Sequence, residues 1–215
     1  SLSVDYKNYW RKSGLKKNWG NIFLNIVNQH KPKVFLEVGV FCGVTARNVC
    51  ELLNIIHSGN FKYVGIDLFG DKAGEDEKVP NYLKKQNFSN PIKNLFYNII
   101  LRENLNSYES VQKFLKSFSK NTTLIKGNSN KILRHLDIEN IDFAFLDGGH
   151  SFETVFNDLN LVFNKISSNK DAIILCDDYQ DADYITGVKK AVDQFVKEKK
   201  LKFEVIEKRF AKITI

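Results

Sequence analysis

The sequence has no methionine, three prolines and three cysteines in 215 residues. No apolar run approaches the ~20 residues that a membrane-spanning helix requires, and the first residues lack the basic start and apolar stretch of a secretion signal. A cytoplasmic protein without a membrane segment is expected, and the missing methionine makes Ser1 an expected trimmed start. Cys42, Cys50 and Cys176 are odd in number and form no C-x-x-C pair. That excludes a disulfide framework or a zinc knuckle and suits small buried thiols in a reducing compartment. Internal repeats and low-complexity linkers are also missing, so a single domain over 1–215 is expected.

What is present describes a folded chain. Hydrophobic residues make up 43% and charged ones 27%, enough for a real core. The net charge is +7, yet the lysines come in ones and twos, as at Lys16-Lys17, Lys84-Lys85, Lys189-Lys190 and Lys199-Lys200. That pattern reads as solvated surface and argues against a nucleic-acid partner.

Short apolar runs rich in Val, Ile and Phe alternate with helix-period segments. Lys33–Gly39, Phe61–Phe69, Thr122–Gly127, Ile141–Asp147 and Ala172–Asp178 are continuously apolar, as parallel strands covered on both faces must be. Val44–His57, Phe152–Ile166 and Tyr184–Lys200 read as helices. In the second of these, Val155, Leu159, Val162 and Ile166 fall on one face. Lys202–Glu207 and Arg209–Ile215 are strands with room only for a hairpin between them, so the last must run antiparallel. The fold class is α/β: a doubly wound, Rossmann-like, seven-stranded sheet with a C-terminal antiparallel hairpin. Residues 1–31, with Trp10 and Trp19, read as an N-terminal helical arm. The 70–120 segment is too long for one crossover and reads as a helical insertion, with helices near Ile92–Leu101 and Tyr108–Phe118. Its aromatic residues Tyr82, Phe88, Phe96 and Tyr97 suit a lid, a contact in a homo-oligomer or an extra helical layer without chemical duty.

The first strand runs into EVGVFCGVT. Gly39 permits a tight turn and close backbone approach, and the helix beyond Gly43 opens with free N–H groups. G-x-x-x-G differs from the G-x-G-x-x-G of nicotinamide binders. Glu37 is placed to attract a cationic ligand such as S-adenosylmethionine, with its sulfonium and ammonium, and to repel a pyrophosphate. Asp67 ends the second strand, where an acid accepts hydrogen bonds from ribose hydroxyls. Asn128 and Ser129 follow the third strand, either at an adenine edge or as an ordinary helix cap.

Asp147 ends the fourth strand and Asp177-Asp178 the fifth, on the same carboxyl edge. Three carboxylates gathered there repel one another unless a cation holds them, and oxygen ligands suit Mg²⁺, Mn²⁺ or Ca²⁺. The other assignment is a cap and a ligand contact without metal. His150 lies three residues on, across Gly148-Gly149, as a general base for a bound hydroxyl or as a helix cap.

These residues resemble a known set. VGVFCGVT is similar to the first motif of catechol O-methyltransferase-like enzymes. LDGGHSFE with LCDDY and GVKKAVDQF resembles macrocin O-methyltransferase-like sugar O-methyltransferases of class I, over Lys33 to Phe195. The resemblance implies a class I, S-adenosylmethionine-dependent methyltransferase, with Mg²⁺ at Asp147, Asp177 and Asp178 and His150 as base. By the same resemblance Glu37, Gly39, Phe41, Gly43, Thr45, Asp67, Asn128, Ser129 and Asp147 would contact the cofactor, and a small-molecule hydroxyl would be the acceptor. The catechol enzymes carry lysine where His150 stands, so the base follows the sugar-modifying pattern. Metal-independent methylation of an amine, a carboxylate or RNA is the alternative. A nicotinamide oxidoreductase fits neither the glycine spacing nor the hairpin, and a binding subunit without turnover need not keep Asp147, His150 and Asp177-Asp178 together.

Overall fold

The computed structural model describes residues 4–71, 89–96, 104–166, 168–180 and 186–215. The apolar runs form β1 (Val34–Val38), β2 (Lys62–Asp67), β3 (Thr122–Lys126), β4 (Phe143–Leu146), β5 (Ile173–Cys176), β6 (Lys202–Ile206) and β7 (Phe210–Thr214). They make one sheet in the order β3-β2-β1-β4-β5-β7-β6. The first five strands run parallel to one another. The hairpin β6–β7 folds back so that β7 slots between β5 and β6, antiparallel to both. Strand burial follows this order. Every residue of β4 and β5 is buried, whereas β6, at the edge, exposes four of its five residues.

The helices are α1 (Lys17–His30), α2 (Val44–His57), α3 (Pro91–Leu95), α4 (Tyr108–Phe114), α5 (Ser129–His135), α6 (Phe152–Ile166) and α7 (Thr186–Lys199), with a 3-10 turn over Lys116–Phe118. They divide between the two faces of the sheet. Phe23 of α1 and Val49 of α2 pack with Phe35, Phe143 and Phe145; Leu159 of α6 and Val192 and Phe195 of α7 pack with Leu36, Ala144 and Ile174. Alternation along β1 and β4 serves both layers at once, which is why the runs look uniformly apolar.

Within the 70–120 segment, α3 begins on a proline with the Asn90 side chain accepting from the N–H groups of Ile92 and Lys93, and Ser107 caps α4. The expected helix near Ile92–Leu101 is seen only as α3, and 97–103 lie outside the described residues, as do Tyr82, Phe88 and Tyr97. The helix expected from Tyr184 is described from Thr186 onward. Among the described residues no helix is long and apolar enough to cross a membrane.

The N-terminal arm is fastened to the domain through α1. Trp19 packs edge-on against Phe210, and Phe23 is fully buried against Phe145 and Phe210. Phe23→Ala is expected to cost about 3–5 kcal/mol of stability, read as a lower urea midpoint with unchanged slope. A variant that unfolds at the wild-type midpoint would show that α1 is not part of the cooperative unit.

Candidate active site

The turn after β1 is built on backbone conformations that need glycine. Gly39 has φ +95°, and a Cβ there would overlap the carbonyl of Asp147. Gly43, φ +79°, precedes α2 and lies against Val111. Between them Phe41 also has a left-handed backbone, φ +53°. Its N–H donates to Asp67 Oδ2 at 2.9 Å, while Asp67 Oδ1 accepts from the Phe69 N–H at 2.7 Å. Asp67 thus joins the β1 and β2 turns. Burial pushes its pKa up and the N–H donors pull it down, with burial the larger effect.

Beside this turn lies a cleft of about 290 Å³ lined by Gly39, Asp67, Gly127, Asn128, Ser129 and Gly148, with Ser151, Thr154 and Asn157 from the start of α6. Asn128 is the α5 cap, accepting from the Asn130 N–H at 2.9 Å. Ser129 Oγ donates to Asp158 Oδ2 at 2.9 Å, and Asn130 Nδ2 to Asp158 Oδ1 at 2.5 Å. Asp158, a buried acid on α6, therefore holds the β3 turn in place. No motif singled it out, although an aspartate on the apolar face of α6 is a visible anomaly.

Glu37, Thr45 and the backbone of Gly43 do not line this cleft. Glu37 is 1% exposed and accepts a hydrogen bond from the Tyr63 hydroxyl. Burial raises its pKa from 4.5 to about 8, against the opposing effect of Tyr63. It supports the turn from within and is largely protonated at neutral pH, so it does not face a ligand as a charge. Thr45 Oγ1 bonds Tyr6 Oη at 2.8 Å, which ties the arm to α2.

At the ends of β4 and β5 the sheet gathers Asp147, His150 and Asp178, whose donor atoms lie within 4.8 Å of one another. His150 Nε2 sits 3.1 Å from Asp178 Oδ2. Burial and the neighbouring charges of Asp177 and Asp178 push the Asp147 carboxyl well above its usual range, while Arg209 acts in the opposite sense. The remaining carboxylate of the expected donor set, Asp177, is placed differently. It is 3% exposed, and its two oxygens accept from Arg209 Nε at 2.6 Å and Nη2 at 2.8 Å. A cation thus already stands at this edge, supplied by the chain. Arg209 escaped the sequence patterns because only the insertion of β7 beside β5 brings it there. His30, His57 and His135 lie on α1, α2 and α5, away from the cluster.

A parallel sheet with one inserted antiparallel strand, and a cleft beside the first glycine turn, is the class I methyltransferase architecture. The chain belongs to a methyltransferase-domain family, whose model matches residues 36–179. The uncharacterized protein R132 of Acanthamoeba polyphaga mimivirus is 40% identical over 72 residues, which is 31% of this chain and 32% of that protein. The chain thus matches about a third of the length of that curated relative. The O-methyltransferase NovP superposes with a TM-score of 0.66 at 15% identity, over 95% of this chain and 84% of NovP. CalS11, a TDP-rhamnose 3′-O-methyltransferase of calicheamicin biosynthesis, gives 0.59 at 17% identity, over 90% of this chain and 77% of CalS11. At these identities the likeness is one of fold.

Glu37 carries a pH signature. With a folded pKa of about 8, it keeps a proton that the unfolded chain releases near its ordinary value of 4.5. The folded state is therefore increasingly penalised as pH rises through that interval, with the full penalty reached above about 8. Glu37→Gln, which cannot ionise, is expected to gain stability over the wild type as pH rises, on the order of a few kcal/mol at the upper end. Thermal unfolding at acidic and mildly alkaline pH checks it; a difference that does not grow with pH would refute it.

Proposed function

We propose that the protein is an S-adenosylmethionine-dependent O-methyltransferase acting on a hydroxyl of a small molecule, a sugar or a sugar-containing metabolite. The observation that carries this reading is the adjacency of two features on one sheet edge. The cleft beside Gly39 and Asp67 is lined by Gly148 and Ser151, the chain neighbours of Asp147 and His150 in the Asp147–His150–Asp178 group. The chemistry of the lining fits the cofactor. Asp67 lines the cleft at the tip of β2, where an acid accepts hydrogen bonds from ribose hydroxyls, and Asn128 and Ser129 line it where an adenine edge would lie. Gly39, Phe41, Gly43 and Thr45, with Glu37 beneath, build the turn at the amino-acid end. The sugar acceptor is favoured by the DGGH and DDY pairing and by the architecture shared with CalS11, a TDP-rhamnose 3′-O-methyltransferase.

A divalent cation, Mg²⁺ in this reading, would be held by the carboxylates of Asp147 and Asp178. Two carboxylate donors with the rest of the shell left to water and substrate suit that ion. When bound, S-adenosylmethionine supplies an electrophilic methyl group and the cation a positive charge beside the acceptor oxygen. The chain's own part is positioning and proton transfer. The glycine turn and Asp67 orient the cofactor. His150, backed by Asp178, accepts the hydroxyl proton, and the Asp178 carboxylate stabilises the imidazolium that results. Gly148 and Gly149 keep side chains clear of the reacting hydroxyl. Arg209 favours one further reading, a metal-independent transfer, because it already supplies positive charge at the same edge.

Two measurements test this. In calorimetric titration the wild type is expected to bind S-adenosylmethionine and Asp67→Ala to bind it about 10- to 100-fold more weakly; no binding by the wild type at millimolar ligand would end the cofactor assignment. With labelled cofactor and a panel of sugars and phenols, His150→Ala is expected to lose roughly 10²–10⁴ in rate while keeping cofactor affinity. An unchanged rate would remove His150 from the chemistry. EDTA followed by Mg²⁺ add-back separates the metal-assisted route from the metal-independent one.

A further inference from the structure

We propose that Arg209 is the positioning residue of this edge, setting the place of His150 through Asp177 and Asp178; this presupposes the role of His150 as proton acceptor proposed above. The placement begins with the β6–β7 hairpin. Glu207 and Lys208 turn with φ of +51° and +58°, and β7 then runs antiparallel to β5 with Ala211 opposite Cys176. Arg209 is thereby set beside the end of β5, and the Tyr179 N–H donates to its carbonyl at 2.8 Å.

Its guanidinium is held on several sides. It lies 5.2 Å from the Trp19 ring centroid and 5.7 Å from that of Phe210, and Nη2 reaches the Gly14 carbonyl at 3.4 Å. Both Asp177 oxygens accept from it. Asp177 Oδ1 also accepts the Asp178 N–H at 2.8 Å, and Asp178 is left-handed, φ +60°, a conformation that needs outside support for a residue with a side chain. From that backbone, Asp178 Oδ2 meets His150 Nε2 at 3.1 Å. Each link is a short polar contact, and the first is a two-pronged pair whose planar geometry a lysine cannot reproduce. A guanidinium needed only for its charge could be replaced by an ammonium; one needed for its shape could not.

The experiment compares wild type, Arg209→Lys and Arg209→Ala at one pH, with folding confirmed by circular dichroism. Both variants are expected to lose about 10- to 100-fold in kcat while the KM for S-adenosylmethionine stays within about twofold, and free guanidinium ion is expected to restore part of the Arg209→Ala rate. The ring-nitrogen resonances of His150, read by NMR without any acceptor, are expected to shift and broaden in both variants. Wild-type kcat in Arg209→Lys, or wild-type His150 resonances in either folded variant, would overturn the proposal. If Arg209→Ala does not fold, Arg209→Lys decides. If the wild type transfers no methyl group, the functional reading fails by itself, and the resonances still decide whether Arg209 positions His150.

Discussion

Parallel strands end in line, and in this sheet the ends of β4 and β5 carry aspartates into one corner. Close carboxylates under partial burial repel one another unless opposite charge is brought among them. Here the chain supplies part of that charge itself: Arg209 pairs with Asp177 through both oxygens and stands 4.0 Å from Asp178. The rest of the corner is arranged around that pair. Asp177 is spent on the arginine, while the donor atoms of Asp147, His150 and Asp178 lie within 4.8 Å of one another. A buried pair of this kind contributes modestly to net stability, because desolvation offsets attraction.

The cleft obeys a different constraint, close backbone approach. The turn after β1 can lie against the carbonyl of Asp147 at the end of β4 only because position 39 has no Cβ, and the path of that turn is then secured by the Asp67 carboxylate. The N-terminal arm adds a second fastening. Arg11 donates to the carbonyls of Cys42 at 2.8 Å and Leu105 at 2.7 Å, which binds the arm, the glycine turn and the residues before α4 together. Glu37, buried below and bonded to Tyr63, completes the support. The turn is therefore held by Asp67, by Arg11 and from below by Glu37, as a site that must orient a flexible ligand requires.

Much of this organisation can be read along the chain. Apolar runs disclosed β1 to β5, although β3 lies at an edge with no residue buried rather than covered on both faces as expected, the tight spacing of the last two runs disclosed the hairpin, and the carboxylates marked the strand ends. These are local signals, since a strand covered on both faces leaves a pattern in its own few residues. Glu37 shows where such signals stop. The spacing placed it at the glycine turn, but whether it faced a ligand or the core depended on Tyr63, which comes from another strand.

The amino-acid sequence by itself determined the α/β class, the strand ends on the carboxyl edge and the presence there of Asp147, His150 and Asp178, because periodicity and turn residues act over a few positions. Only the tertiary structure decided that Asp177 faces Arg209, that Asp158 braces the β3 turn and that the arm reaches Thr45. Those contacts join residues 32, 29 and 39 positions apart. Their existence follows from the order in which strands pair, above all from β7 entering between β5 and β6, and strand order leaves no mark in any local stretch of sequence.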